Sequence, residues 1–117
     1  MTGFLVWACD PATPARYDAE QEFLALRKVD ASAAASFMVR LNIALTYGSD
    51  DIVDADQLVG GDPFYVYELR RHSLIYVIED IEMGANVGCI GICQRDQRPL
   101  FITGDAVLRL RQLRDEK

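Results

Sequence analysis

The spacing of apolar side chains changes period part-way along this 117-residue chain, and that change constrains the fold more than any single residue does. Over residues 31–47, Ala34, Met38, Leu41 and Leu45 recur at i, i+4, i+7 and i+11, with Phe37 and Ala44 beside them. That is the stripe of an amphipathic helix. Over residues 64–93 the period drops to two. Phe64, Val66 and Glu68 alternate with Tyr65, Tyr67 and Leu69, and two further runs, 74–80 and 87–93, follow after short turns. Turns of that length make antiparallel neighbours. Helices followed by a meander predict an α+β layer arrangement.

The remaining segments fit the same plan. Residues 3–9 read as a first strand, ended by the two prolines of residues 10–14. A helix is expected from Tyr17 to about Lys28, with acidic residues at its positive end. Asp30 or Ser32 would cap the next helix, and Gly48 stands where a helix ends on a left-handed residue. Residues 49–63 read as an acidic loop with a short strand at Ile52–Val53 or Leu58–Val59. Leu100–Ile102 would add a short extended piece, and Thr103 or Asp105 would cap a last helix with Ala106, Leu110 and Leu113 on one side and Arg109, Arg111 and Arg114 on another. The expected architecture is an N-terminal strand, a helical hairpin, a three-stranded antiparallel meander and a C-terminal helix, in a single α+β domain over residues 1–117. The meander is apolar on both faces, so the C-terminal helix or a second subunit has to cover one of them.

Composition narrows the chemistry. The net charge is −6, but residues 1–68 carry four basic side chains against eleven acidic ones, whereas residues 69–117 carry eight against seven. An acidic total argues against extended nucleic-acid binding while allowing a local arginine patch. No apolar run approaches the roughly 20 residues of a membrane span, and no secretory leader is recognisable at the start. Three cysteines without framework spacing predict thiols in a cytoplasmic protein. One histidine, no paired cysteine motif and no calcium loop around Asp50, Asp51, Asp54 and Asp56 predict neither metal nor cofactor.

Arginine therefore carries the leading candidate site. In a meander, the end of the first strand and the end of the third lie at the same edge, so Arg70 and Arg71 are expected to converge with Arg95 and Arg98. Guanidinium groups grip phosphate or carboxylate bidentately, and His72 beside them has the one side chain suited to proton transfer near neutral pH. An alternative site is an apolar pocket or dimer interface lined by Tyr65, Tyr67, Tyr76, Cys89 and Cys93.

Three stretches in order, "AASFMVRLNIAL", "YELRRHSLIYVIED" and "IGICQRDQRPLF", resemble the RelE/ParE toxin superfamily over most of residues 3–101. The resemblance implies a sheet with helices packed on it, and a chain that cleaves mRNA on the ribosome or poisons gyrase and is neutralised by an antitoxin-like protein. It would cast Arg70, Arg71, Arg95 and Arg98 as phosphate clamps, with His72 or a tyrosine assisting proton transfer. Gln94 stands where many members carry a histidine. The alternative from a different class is a non-enzymatic homodimeric module that binds a protein or small ligand.

Overall fold

The structure, a computed structural model, describes residues 3–10, 17–48, 56–59, 64–82 and 84–115. The prolines of residues 11–14, most of the aspartate-rich loop and Met83 lie outside these.

The fold is α+β. Its order is β1 (Leu5–Trp7), α1 (Ala19–Val29), α2 (Ala31–Tyr47), β2 (Asp56–Val59), β3 (Phe64–Glu68), β4 (His72–Asp80), β5 (Ala85–Gln94), a 3-10 turn (Arg95–Gln97), α3 (Arg98–Thr103) and α4 (Asp105–Asp115). The sheet has five strands in the order β1-β5-β4-β3-β2, one more than the N-terminal strand and meander alone. Leu58–Val59, one of the two positions expected for a short strand, falls within β2. β1 runs parallel to β5, and the other pairs are antiparallel.

Local chemistry accounts for the helix ends. Asp18 caps α1 by accepting from the backbone N–H of Glu20 and Gln21. Asp30 both closes α1, donating its N–H to the Leu26 carbonyl, and opens α2, accepting from Ala33 N–H at 3.0 Å. One residue thus ends one helix and starts the next, which makes the hairpin tight. Gly48 follows α2 at φ 72°, where a side chain would be strained and would also strike the Asp80 carboxylate.

Helices cover both faces of the sheet. On one face, α2 buries Ala34, Phe37, Leu41 and Ala44, and the Phe37 ring meets Tyr67 edge-on at 5.9 Å. Against the other face lie Phe101 and Ile102 of α3 and Ala106 and Leu110 of α4, all buried. The C-terminal segment therefore covers the second face, and burying it does not require another subunit. Leu100–Ile102 is helical rather than extended, and Gly104 separates α3 from α4.

Arg109 departs from its expected place. It is only 7% exposed, lying inside the molecule rather than on the solvent side of α4. Its guanidinium binds the Glu22 carboxylate through two hydrogen bonds, Nη1 to Oε1 at 2.9 Å and Nη2 to Oε2 at 2.8 Å. It also lies over the rings of Tyr17 at 4.6 Å and Phe101 at 5.0 Å, and Tyr17 donates its hydroxyl to Gln112. Planar guanidinium is suited to pairing and stacking together.

This pair sits where β5 loses its neighbour. The last β1–β5 bond runs from Ala8 N–H to the Cys89 carbonyl. The register then slips: Tyr76 pairs with Cys89 and Ile75 with Gly91, so Ile90 is an extra residue with no partner on β4. Arg109 Nη1 takes the Ile90 carbonyl at 3.1 Å, and Glu22 Oε1 takes Ile92 N–H at 3.1 Å. Two side chains thus continue the hydrogen bonding that β1 abandons. Gly91 leaves them room, since a Cβ there would fall 2.4 Å from Arg109 Nη1 and 2.8 Å from the Phe101 ring.

Two stability predictions rest on this pair. Gly91→Ala should destabilise the fold by about 1–3 kcal/mol through overpacking. Arg109→Ala, which strands a partly buried carboxylate and empties a buried site, should cost about 2–3 kcal/mol, whereas Glu22→Gln combined with Arg109→Met should cost clearly less. Urea unfolding midpoints measure both, and a double variant no better than Arg109→Ala would contradict the second. Tyr76, fully buried, has a hydroxyl with no hydrogen-bond partner among the described residues. Tyr76→Phe should therefore be neutral or raise the midpoint.

Candidate functional site

At the sheet edge expected from the meander, the β3–β4 turn is closed by Leu69 N–H donating to the His72 carbonyl at 2.9 Å. Arg70 and Arg71 form its exposed tip. Arg95 N–H donates to the Arg71 carbonyl at 2.9 Å, which ties the end of β5 to this turn. An open cleft of about 690 Å³ results, lined by Arg70, Arg71, His72, Gln94, Arg95 and Asp96.

Three of the four expected arginines meet here, beside the histidine. His72 and Gln94 are register partners, so their side chains share a face. Asp96 is the one acidic residue on the wall, leaving the cleft predominantly cationic. Arg70, Arg71 and His72 also line a second, smaller cleft against the start of α2, with Asp30, Ser32 and Ser36. The basic turn is therefore open on two sides.

Arg98 is not a wall of the cleft. Its Nη1 pairs with Glu68 Oε2 at 2.8 Å, and that same oxygen accepts from the Ser73 hydroxyl at 3.1 Å. Arg95 approaches it more loosely, Nε to Oε2 at 3.8 Å. Glu68 thus holds Arg98 against β3 and competes for Arg95 with anything bound in the cleft. Sequence patterns alone do not single out Glu68 or Asp96 as site residues. Glu68 had a readable signal in the alternation of β3, which sets it at the strand's end on the face opposite Tyr67.

The alternative set is divided between faces. Tyr65 stacks on Tyr76 at 5.8 Å, and Tyr67 is packed between Phe37 and the Arg40 guanidinium, which lies 4.6 Å from its ring centre. Tyr76 and Cys89 are fully buried beneath the helices. Cys93 pairs with Ser73 and lies on the opposite face, because the extra residue at Ile90 breaks the alternation that otherwise aligns it with Cys89. These five residues do not line one open surface.

All three cysteines are thiols. Burial, reinforced by the Glu22 carboxylate, pushes the Cys93 thiol from 9.0 up to about 11, and burial pushes the Cys89 thiol higher still. Cys93 lies next to the His72–Gln94 pair in register, yet successive strand residues point to opposite faces, so His72 is not placed to activate it. Among the described residues, no group of three or more His, Cys, Asp or Glu could hold a metal ion, and no helix is long and apolar enough to cross a membrane.

No family model, curated protein or solved structure matches the chain.

The thiols set a pH dependence. Both folded-state values are raised, so the unfolded chain loses these protons first as pH climbs through about 9. Stability should be unaffected by them below that pH and fall above it. Unfolding midpoints between pH 8 and 10.5 should decline less in Cys89→Ala relative to its own value at pH 8. An identical decline in both proteins would contradict the assignment.

Proposed function

We propose that the protein is a RelE/ParE-like toxin-type domain that acts by gripping a phosphate-bearing macromolecular target, mRNA on the ribosome, in the cleft of Arg70, Arg71 and Arg95. The observation that carries this reading is the convergence of those three arginines with the only histidine at one open edge of the sheet. The resemblance noted in the sequence supports the choice of target.

The arrangement suits a strand that presents successive phosphates. Arg70 and Arg71 stand on a turn whose backbone is fixed at both ends, so guanidinium placement costs less ordering than on a free loop. Arg95 stands across the cleft, fixed through its own N–H. The chain's overall negative charge opposes long-range attraction of a polyanion, so recognition here depends on close contact.

In the cleavage reaction this reading entails, His72 takes the proton of a 2′-hydroxyl as that oxygen attacks the adjacent phosphorus. The bond to the 5′-oxygen breaks, and the departing oxygen is protonated from solvent, leaving a 2′,3′-cyclic phosphate. Arginines facing the phosphoryl oxygens stabilise the charge that builds up on them. Arg98, bound to Glu68, belongs to the support of α3 in this scheme.

The test is induced expression in a bacterial host, paired with binding of a single-stranded RNA by the purified chain. Growth should arrest, and Arg70→Ala with Arg71→Ala should relieve the arrest. The same pair should weaken RNA binding and lower its salt dependence by roughly 0.7 in log–log slope for each phosphate that is no longer neutralised. His72→Ala should preserve binding while sparing the mRNA. Arrest that persists in the arginine variant would sink the cleft as the acting site. No arrest by the wild type would remove the toxin reading.

A further inference from the structure

At the other end of the sheet, β1 and α4 enclose a second cavity, of about 390 Å³. Its walls come from two layers, with Phe4, Val6, Val77 and Gly88 on the strands and Leu113 and Arg114 on the helix. Gly88 brings the layers together, since a Cβ there would lie 2.9 Å from Leu113 Cδ2. The lining is mainly apolar, and the volume falls at the small end of the range of about 300–1,000 Å³ usual for small-molecule sites. Phe4, 70% exposed, forms a lip, with Val6 at 44% beside it.

The polar groups around this cavity are unequal. On the strand side, Phe4 N–H donates to Asn86 Oδ1 at 2.9 Å, and Asn86 Nδ2 donates to Glu79 Oε1 at 3.0 Å. Those bonds hold the Phe4 backbone in place and engage one oxygen of the Glu79 carboxylate. On the helix side, Arg114 has no ion-pair partner among the described residues. The cavity therefore presents an apolar trough with the Glu79 carboxylate on the strand side and the Arg114 guanidinium on the helix side, which sets the end at which an anionic headgroup can enter.

We infer that this cavity binds a small amphiphilic carboxylate, a short acyl chain whose tail lies between Val6, Val77 and Leu113 and whose carboxylate meets Arg114. Chain burial gives the attraction, and guanidinium–carboxylate pairing fixes the direction of entry. The site shares no residue with the cationic cleft, so this inference stands whether or not that cleft binds RNA.

The probes are octanoate and the neutral 1-octanol, titrated into the full chain by calorimetry and by backbone amide NMR. Octanoate should bind with a Kd on the order of 100 µM, reasonable for ten non-hydrogen atoms, with shifts at Phe4, Val6, Gly88 and Leu113. Arg114→Gln, at an exposed position, should weaken octanoate about tenfold while leaving 1-octanol unchanged. Val6→Glu should remove both. Equal octanoate affinity in the wild type and Arg114→Gln would overturn the carboxylate assignment. An absence of binding, shifts confined to other surfaces, or a dimer in light scattering that buries Phe4 and Val6 would overturn the site.

Discussion

The Glu22–Arg109 pair is the contact on which the arrangement of this molecule turns. It joins α1 to α4 across the edge of β5, and it takes the two backbone groups that no strand pairs. Without it, the Ile90 carbonyl and Ile92 N–H would face the protein interior unpaired, beside a stranded charge. A buried ion pair is not in itself strongly stabilising, since desolvation offsets most of the attraction. Its value here is positional: the one geometry that satisfies both side chains and both backbone groups fixes α4 over Gly91.

That placement carries through to both candidate sites. With α4 fixed over β5, Leu113 comes down on Gly88 and shapes the apolar cavity beside β1. With β5 running on to Gln94 and tied to the β3–β4 turn, Arg95 is delivered opposite Arg70 and Arg71. Beside the cleft, Glu68 accepts from Ser73 and pairs with Arg98, which ties the start of α3 to β3. The bulge at Ile90 serves the same end, because it turns both Gly88 and Gly91 toward the C-terminal helices.

Much of this is legible from residue patterns. The stripe of α2, the Asp30 cap and the alternation of β3 and β4 each follow from local chemistry acting on neighbouring residues. The meeting of Arg70 and Arg71 with Arg95 follows from meander geometry alone. What escapes is non-local or contrary to usual burial. Periodicity sends charged residues such as Glu22 and Arg109 to solvent, although here Arg109 is buried against a half-buried Glu22. One inserted residue at Ile90 is invisible in an apolar run, yet it moves Cys93 to the other face from Cys89. The apolar triplet Leu100–Ile102 is too short to display a period, and the one local sign of its helix is Pro99 in the first turn of α3.

The central functional claim is that the cationic cleft, rather than any other surface, receives a phosphate-bearing strand. Backbone amide NMR of the full chain, titrated with a short single-stranded RNA at low salt, tests it most directly. The account predicts shifts centred on Arg70, Arg71, His72 and Gln94–Asp96, fading with added salt. Shifts centred elsewhere, or none at millimolar RNA, would contradict it.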